Sequence, residues 1–260
     1  MTATYRASDD AADAERARLA HLAELFDNGT IRTFRRLGVA PGWHCLEVGA
    51  GSGSVARALA ALVAPDGAVL ATDLDLRFLE TLDEPHVEVR AHDITKDPLP
   101  AAMFDFAHAR GVLEHIRDRD QALATMTAAT KPGGLVVIED VDWLVFEAQE
   151  LPPAFGQLHR CMQDAYVAGA GYDPHLGRKL QTWLPEHGLV DVESAGRTFT
   201  MQGGTPSMEW YVLGIERALP TLIEAGIVDA GVATAAMTEV RDPACRLLSP
   251  LQITAWGRKP

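Results

Sequence analysis

The run Trp43–Ser54 sets a carboxylate, Glu47, near the end of a short apolar stretch and follows it with three glycines at alternate positions, Gly49, Gly51 and Gly53. Glycine has no Cβ and tolerates positive φ, so a strand–turn–helix of this kind lets backbone N–H groups come close to a ligand. Dinucleotide sites use G-x-G-x-x-G, with pyrophosphate on the helix N-terminus and the third glycine packing helix on strand. Here the third glycine arrives one residue early and Ser54 stands where that pattern wants glycine. A carboxylate two residues before the first glycine is poorly placed for pyrophosphate and suits a ligand with positive charge.

Further carboxylates follow at the ends of apolar runs. Ala68–Asp73 reads as a second buried strand whose acid lies 24 positions after Gly49, the distance that puts it at the end of the neighbouring parallel strand. Asp73 can there accept both hydroxyls of a ribose, whichever nucleoside cofactor is bound; Asp75 is the better cap for the helix starting near Leu76. A third strand, Val87–Ala91, leads into His92, Asp93 and Ile94. The fourth, Phe104–Arg110, leads into Gly111-Val112-Leu113-Glu114-His115, and Lys131-Pro132-Gly133-Gly134 makes a tight turn into Leu135–Asp140.

In order and spacing, these landmarks over residues 43–140 resemble the class I S-adenosylmethionine-dependent methyltransferases. The likeness is nearest to actinobacterial small-molecule methyltransferases and extends more distantly to those of quinone biosynthesis. The resemblance implies an α/β fold with a doubly wound, mostly parallel seven-stranded sheet and helical lid insertions. It implies S-adenosyl-L-methionine, a sulfonium without phosphates, held by Glu47, Gly49, Ala50, Gly51, Gly53, Asp73, Leu74, Asp93, Ile94 and Arg110. In that family the acid at Asp93 receives the adenine amine. The implied activity is methyl transfer to O, N or C of a small natural-product-like acceptor, in secondary metabolism. Three other readings stay open: an S-adenosylmethionine enzyme of different chemistry, a nicotinamide-dependent oxidoreductase, and a catalytically silent scaffold.

Methyl transfer is an in-line displacement, so the protein's main task is to position donor and acceptor. An oxygen or nitrogen acceptor that must lose a proton also needs a base. His115, just past the fourth strand, is the candidate; the alternative is that Glu114-His115 only opens the next helix. His108, on an apolar strand, reads as a core histidine. Glu139, Asp140 and Asp142 with Trp143 are candidates to receive an amine or cationic substrate, and Tyr166 and Trp210 are candidate aromatic walls. No metal is expected, because strand neighbours such as Glu139 and Asp140 point to opposite faces.

The elements that must position these residues fit within 260 residues, 47% of them hydrophobic, as one domain. Its parts are a helical cap 1–40, a cofactor half 43–142, insertions 143–175 and 203–245, and the remaining sheet, 176–202 and 246–260. Within the cap, 8–37 reads as an amphipathic helix with Ser8 as cap and Leu19, Leu22, Leu25 and Phe26 as its stripe. Tyr5 and Arg18 there are expected to reach the cofactor's carboxylate. A single strand is expected over 190–200, and a last one over Leu251–Gly257 antiparallel beside it. The net charge of −13 opposes nucleic acid and anionic membranes as partners. No apolar run is long enough for a membrane span, and three widely spaced cysteines suit a reducing cytoplasm. Homodimerisation is left open.

Overall fold

The computed structural model describes residues 9–80 and 82–260. Tyr5 and Ser8 lie outside the described residues. The chain divides into two compact units, one of Phe26–Asp142, Tyr172–Arg197 and Leu251–Pro260, the other of the segment ending at Leu25 with Trp143–Gly171 and Thr198–Pro250.

The first unit is built on a seven-stranded sheet. Its strands are β1 (His44–Val48), β2 (Ala68–Asp73), β3 (Val87–Ala91), β4 (Phe104–Arg110), β5 (Thr130–Asp142), β6 (Val190–Arg197) and β9 (Leu251–Arg258), in the order β3-β2-β1-β4-β5-β9-β6. The pairs from β3 to β5 are parallel, and β9 runs antiparallel between β5 and β6, as expected of the last strand. Strand order reverses between β1 and β4, so the glycine turn after β1 stands at the switch point where open α/β sheets bind ligands.

Both faces of this sheet are covered, which is why its central strands read as apolar runs. Helix α2 (Ser54–Val63) buries Val55, Ala56, Leu59, Ala60 and Val63, one face of a helix at this spacing. With Phe34 from the C-terminal part of α1 (Asp9–Arg36), these pack on Cys45, Phe106, Val137 and Trp256. On the other face α3 (Arg119–Ala129) and α6 (Leu176–Glu186) place Leu123, Met126, Leu180 and Leu184 against Leu46, Val136 and Ile138.

Two expectations change. Lys131–Gly134 is not a turn ahead of the strand but part of β5, which pairs with β4 from Thr130 through a register shift between Phe104 and Phe106. A Cβ at Gly134 would lie 2.9 Å from the Asp105 carbonyl, so glycine lets the strands stay together through the irregularity. Nor is 190–200 one strand. β6 ends at Arg197, and β7 (Thr200–Gln202) pairs with β8 (Arg246–Leu248) in a separate two-stranded sheet. Thr198 Oγ1 and Phe199 N both donate to Ser249, which passes the chain to the other unit.

That other unit is otherwise helical, with α4 (Leu144–Glu147), α5 (Pro153–Ala170), α7 (Pro206–Glu224) and α8 (Ala230–Arg241). Proline sits in the first turn of α5 and α7, where a missing N–H costs nothing. Asp229 caps α8 through Gly231 N and Val232 N. Among the described residues no helix is long and apolar enough to cross a membrane.

Candidate active site

The glycine turn is a left-handed path, with φ of 69° at Gly49, 56° at Gly51 and 78° at Gly53. Gly49 N and Ala50 N donate to the Thr72 carbonyl at 2.8 and 3.0 Å, tying the turn to the end of β2. Gly51 N donates to Asp73 Oδ2 at 2.8 Å, and Asp75 N to Asp73 Oδ1 at 3.1 Å. Asp73 therefore holds the turn, while Asp75 caps the 3-10 turn Leu76–Phe78 through Arg77 N. Gly53 opens α2, and a Cβ there would lie 2.7 Å from a Leu82 methyl. Next to the half-buried Asp73, Leu74 is 76% exposed, an apolar side chain presented at the sheet's carboxyl edge. After β3, Asp93 accepts from Thr95 N, Thr95 Oγ1 and Lys96 Nζ, and Ile94 is buried. Burial would raise the Asp93 pKa, but these donors hold it below the usual range.

Glu47 points inward. Its Oε2 lies 2.6 Å from Nδ1 of His108, its register partner on β4. The far ring nitrogen, Nε2, is 3.9 Å from Glu139 Oε1. Glu139 Oε2 in turn accepts from Thr30 Oγ1 at 2.8 Å and from Arg197 Nη2 and Gln252 Nε2 at 3.2 Å. Arg110 donates to Thr30 Oγ1 and to Asp27 Oδ1, which also receives the Ser54 hydroxyl. One buried chain of polar groups thus runs from the glycine turn through β1, β4 and β5 to the end of α1. Burial alone would lower the His108 pKa, but Glu47 and Glu139 outweigh it and lift it to about 9. Burial would raise Glu139, yet His108, then Arg110 and Arg197, bring it down to about 2. Burial pushes Glu47 up against the pull of the same imidazole.

His108 is thus the core histidine expected, but a charged one. Arg110 and Glu139, candidates for cofactor and substrate contact, have their side chains engaged in this chain, and Glu139 is wholly buried. Asp27, Thr30, Arg197 and Gln252 carry no motif. Gly29 is the one signal, since glycine inside a helix costs about 1 kcal/mol against alanine. Its reason is local: a Cβ there would lie 2.8 Å from Arg197 Nε.

At the end of β4 the chain forms the 3-10 turn Leu113–His115. His115 is exposed, its Nε2 lies 3.3 Å from Glu114 Oε1, and its ring stacks on Tyr172 at 5.0 Å and 19°. Glu114 is buried; its Oε2 accepts from Val141 N and its carbonyl from Asp173 N. Asp140 is also buried, on the opposite side of β5 from Glu139, and neither of its oxygens has a hydrogen-bond partner. Burial, and then the Glu114 carboxylate, push its pKa well above the usual range. Asp142 is engaged by Arg178 and by His175 Nδ1. Among the described residues no three His, Cys, Asp or Glu side chains are grouped to hold a metal.

The remaining candidates lie in the helical unit. Trp143 packs on Phe146 and Tyr211, with ring centroids 5.2 and 4.9 Å apart. Trp210 is buried next to Tyr211, and Tyr166 is 36% exposed. Arg18, expected to reach the cofactor, is held by both oxygens of Glu15 at 2.6 and 2.9 Å.

Comparison with known proteins bears on the same segment. Residues 46–138 match the family model described as a methyltransferase domain. The chain is similar to methyltransferase str2 of Strobilurus tenacellus, 36% identical over 141 residues, 54% of this chain and 50% of that one. It is also similar to the ubiquinone/menaquinone biosynthesis C-methyltransferase UbiE of Bordetella parapertussis, 31% identical over 129 residues, 47% of this chain and 49% of the relative. The chain spans about half the length of these curated relatives. Among solved structures, a phosphoethanolamine N-methyltransferase 2 of Haemonchus contortus superposes with a TM-score of 0.57 at 19% identity, over 90% of this chain and 52% of that one. The YcgJ protein of Bacillus subtilis gives 0.60 at 14% identity, over 90% and 100%. At such identities the likeness is one of fold. The Glu-x-Gly-x-Gly-x-Gly turn at the switch point of the sheet lies inside the segment, residues 46–138, that matches the methyltransferase-domain model.

Proposed function

We propose that this protein transfers a methyl group from S-adenosyl-L-methionine to a small organic acceptor. The observation that carries the reading is the turn Gly49–Gly53, in which every second residue has no side chain and a left-handed φ, and whose Gly51 N–H is fixed by Asp73 with Leu74 exposed alongside. Asp73 has oxygen lone pairs for ribose hydroxyls, Leu74 and Ile94 offer apolar contact to the adenine, and Asp93 is an acceptor for its amine. Nothing in this set is built for pyrophosphate. When bound, S-adenosylmethionine supplies an electrophilic methyl group. Around it this chain would position the acceptor and remove its proton, and His115, the exposed imidazole at the end of β4, is the group for that step.

Calorimetry with S-adenosylhomocysteine and with NADH tests the assignment. Micromolar binding of the first and none of the second is expected; the reverse would end it. Asp73→Ala is expected to weaken S-adenosylhomocysteine binding by about 1.5–3 kcal/mol, the range for a hydrogen bond to a charged group. If affinity held while the melting temperature dropped sharply, Asp73 would be a structural residue of the turn alone. Turnover is expected to be unaffected by EDTA, and recovery on adding magnesium after its loss would instead establish a metal requirement.

A further inference from the structure

Past the end of β4, Glu114, His115 and Tyr172 meet around one exposed imidazole. His115 has its Nε2 3.3 Å from Glu114 Oε1 and one ring face on Tyr172. Neither partner is free to drift. Glu114 is 5% exposed and anchored by Val141 N, and the Tyr172 loop is tied back to the same turn where Asp173 N donates to the Glu114 carbonyl at 2.8 Å. A histidine that served only to start the following helix would need none of this, and α3 begins later, at Arg119.

We infer that Glu114 is a positioning residue for His115, holding the imidazole so that Nδ1 removes a proton from an acceptor hydroxyl or amine. The inference rests on the methyl-transfer reading and narrows the acceptor to one that gives up a proton from oxygen or nitrogen. A carboxylate beside Nε2 favours the tautomer with the proton on Nε2, which leaves the Nδ1 lone pair as the base. The acceptor's O–H or N–H bond would break with its electron pair kept for the new bond to the methyl carbon, the methyl carbon's bond to sulfur would break with its pair left on sulfur as a neutral thioether, and the proton would move to Nδ1. The imidazolium so formed is balanced by the Glu114 carboxylate and later loses its proton to water. The charged groups that face the pair are Asp140 on β5, Arg119 on α3 and Asp173 in the loop before α6. Asp140 is buried, with burial and the Glu114 carboxylate pushing its pKa well above the usual range, and Arg119 Nη1 is 2.9 Å from Asp173 Oδ2. Glu114 is therefore the carboxylate in contact with the base.

The test uses the full chain with Glu114→Gln, Glu114→Asp and His115→Asn. Nitrogen-15 NMR of the His115 ring reads the tautomer without any acceptor. The expected result is a dominant Nε2–H form in the parent, reduced at least about threefold in Glu114→Gln, with S-adenosylhomocysteine affinity unchanged. Transfer of labelled methyl to a panel of phenols and primary amines is expected to be about tenfold slower or more in Glu114→Gln, with the KM for S-adenosylmethionine unchanged and His115→Asn slower still. Should Glu114→Gln fail to fold, Glu114→Asp, which keeps the charge but withdraws it by one methylene, is expected to show the same tautomer shift in smaller measure. An unmoved tautomer, or turnover equal to the parent's, overturns the positioning role and leaves the methyl-transfer reading intact. Loss of S-adenosylhomocysteine binding in the parent chain would instead remove the reading beneath it.

Discussion

Replacing His108 by leucine is expected to destabilise the sheet unit by about 3–5 kcal/mol, the cost of leaving buried charges without their partner. The imidazole stands between Glu47 and Glu139, all three with 2% exposure or less. Leucine fills much of the volume and supplies no charge, so two carboxylates would face each other across an apolar side chain. Urea unfolding measures the loss. The triple change His108→Leu, Glu47→Gln and Glu139→Gln is expected to recover much of it, because the uncompensated charges go with the partner. A single-variant cost below 1 kcal/mol would mean that His108 is neutral in the folded protein.

The same arrangement fixes a pH dependence. His108 is raised from 6.5 to about 9, so its contribution is whole below pH 6.5 and fades as the pH climbs through 9. Glu139 is lowered from 4.5 to about 2, so its contribution is whole above pH 4.5 and fades as the pH falls through 2. The stability difference between parent and His108→Leu is therefore expected to be widest between pH 4.5 and 6.5 and to narrow towards pH 9. A difference that grew from pH 6.5 to 9 would reverse the assignment of charge.

Strands β1, β2, β4 and the later part of β5 could be read from the sequence because each is largely apolar and closed by a polar turn, β3 because Val87 and Val89 alternate with Glu88 and Arg90, and α2 because its apolar residues fall on one helical face. The glycine turn was legible for a stronger reason: three alternating glycines after an acid meet few structural needs other than close backbone approach. What resisted reading was pairing at long range. Thr30 meets Glu139 and Arg197 reaches the Phe26 carbonyl only because β9 enters between β5 and β6, and no local pattern announces that. The alternation of Glu139 and Asp140 told that they diverge, but not that one joins a charged chain while the other is buried beside Glu114 with its pKa pushed up. The strand break after Arg197 was hidden likewise, because Thr198 and Phe199 continue an acceptable alternation and leave the sheet only to meet Ser249.

Gly51→Val is expected to abolish S-adenosylhomocysteine binding, by at least about a hundredfold, the equivalent of 2.7 kcal/mol or more. Two effects add. At φ 56° a β-branched residue is strained, which displaces the Gly51 N–H that now donates to Asp73 at 2.8 Å. The isopropyl group would also stand in the path that the turn keeps open for the nucleoside and its amino-acid tail. Some stability is lost with the strain, about 1–2 kcal/mol, which a melting curve reports separately. Gly51→Ala separates the two effects, since it brings most of the backbone strain with one methyl group of bulk, and an intermediate affinity is expected. If Gly51→Val bound S-adenosylhomocysteine within threefold of the parent, the turn would not carry the cofactor. If Gly51→Ala were as damaging as valine, backbone geometry at the Asp73 contact, rather than open space, would be what the cofactor requires.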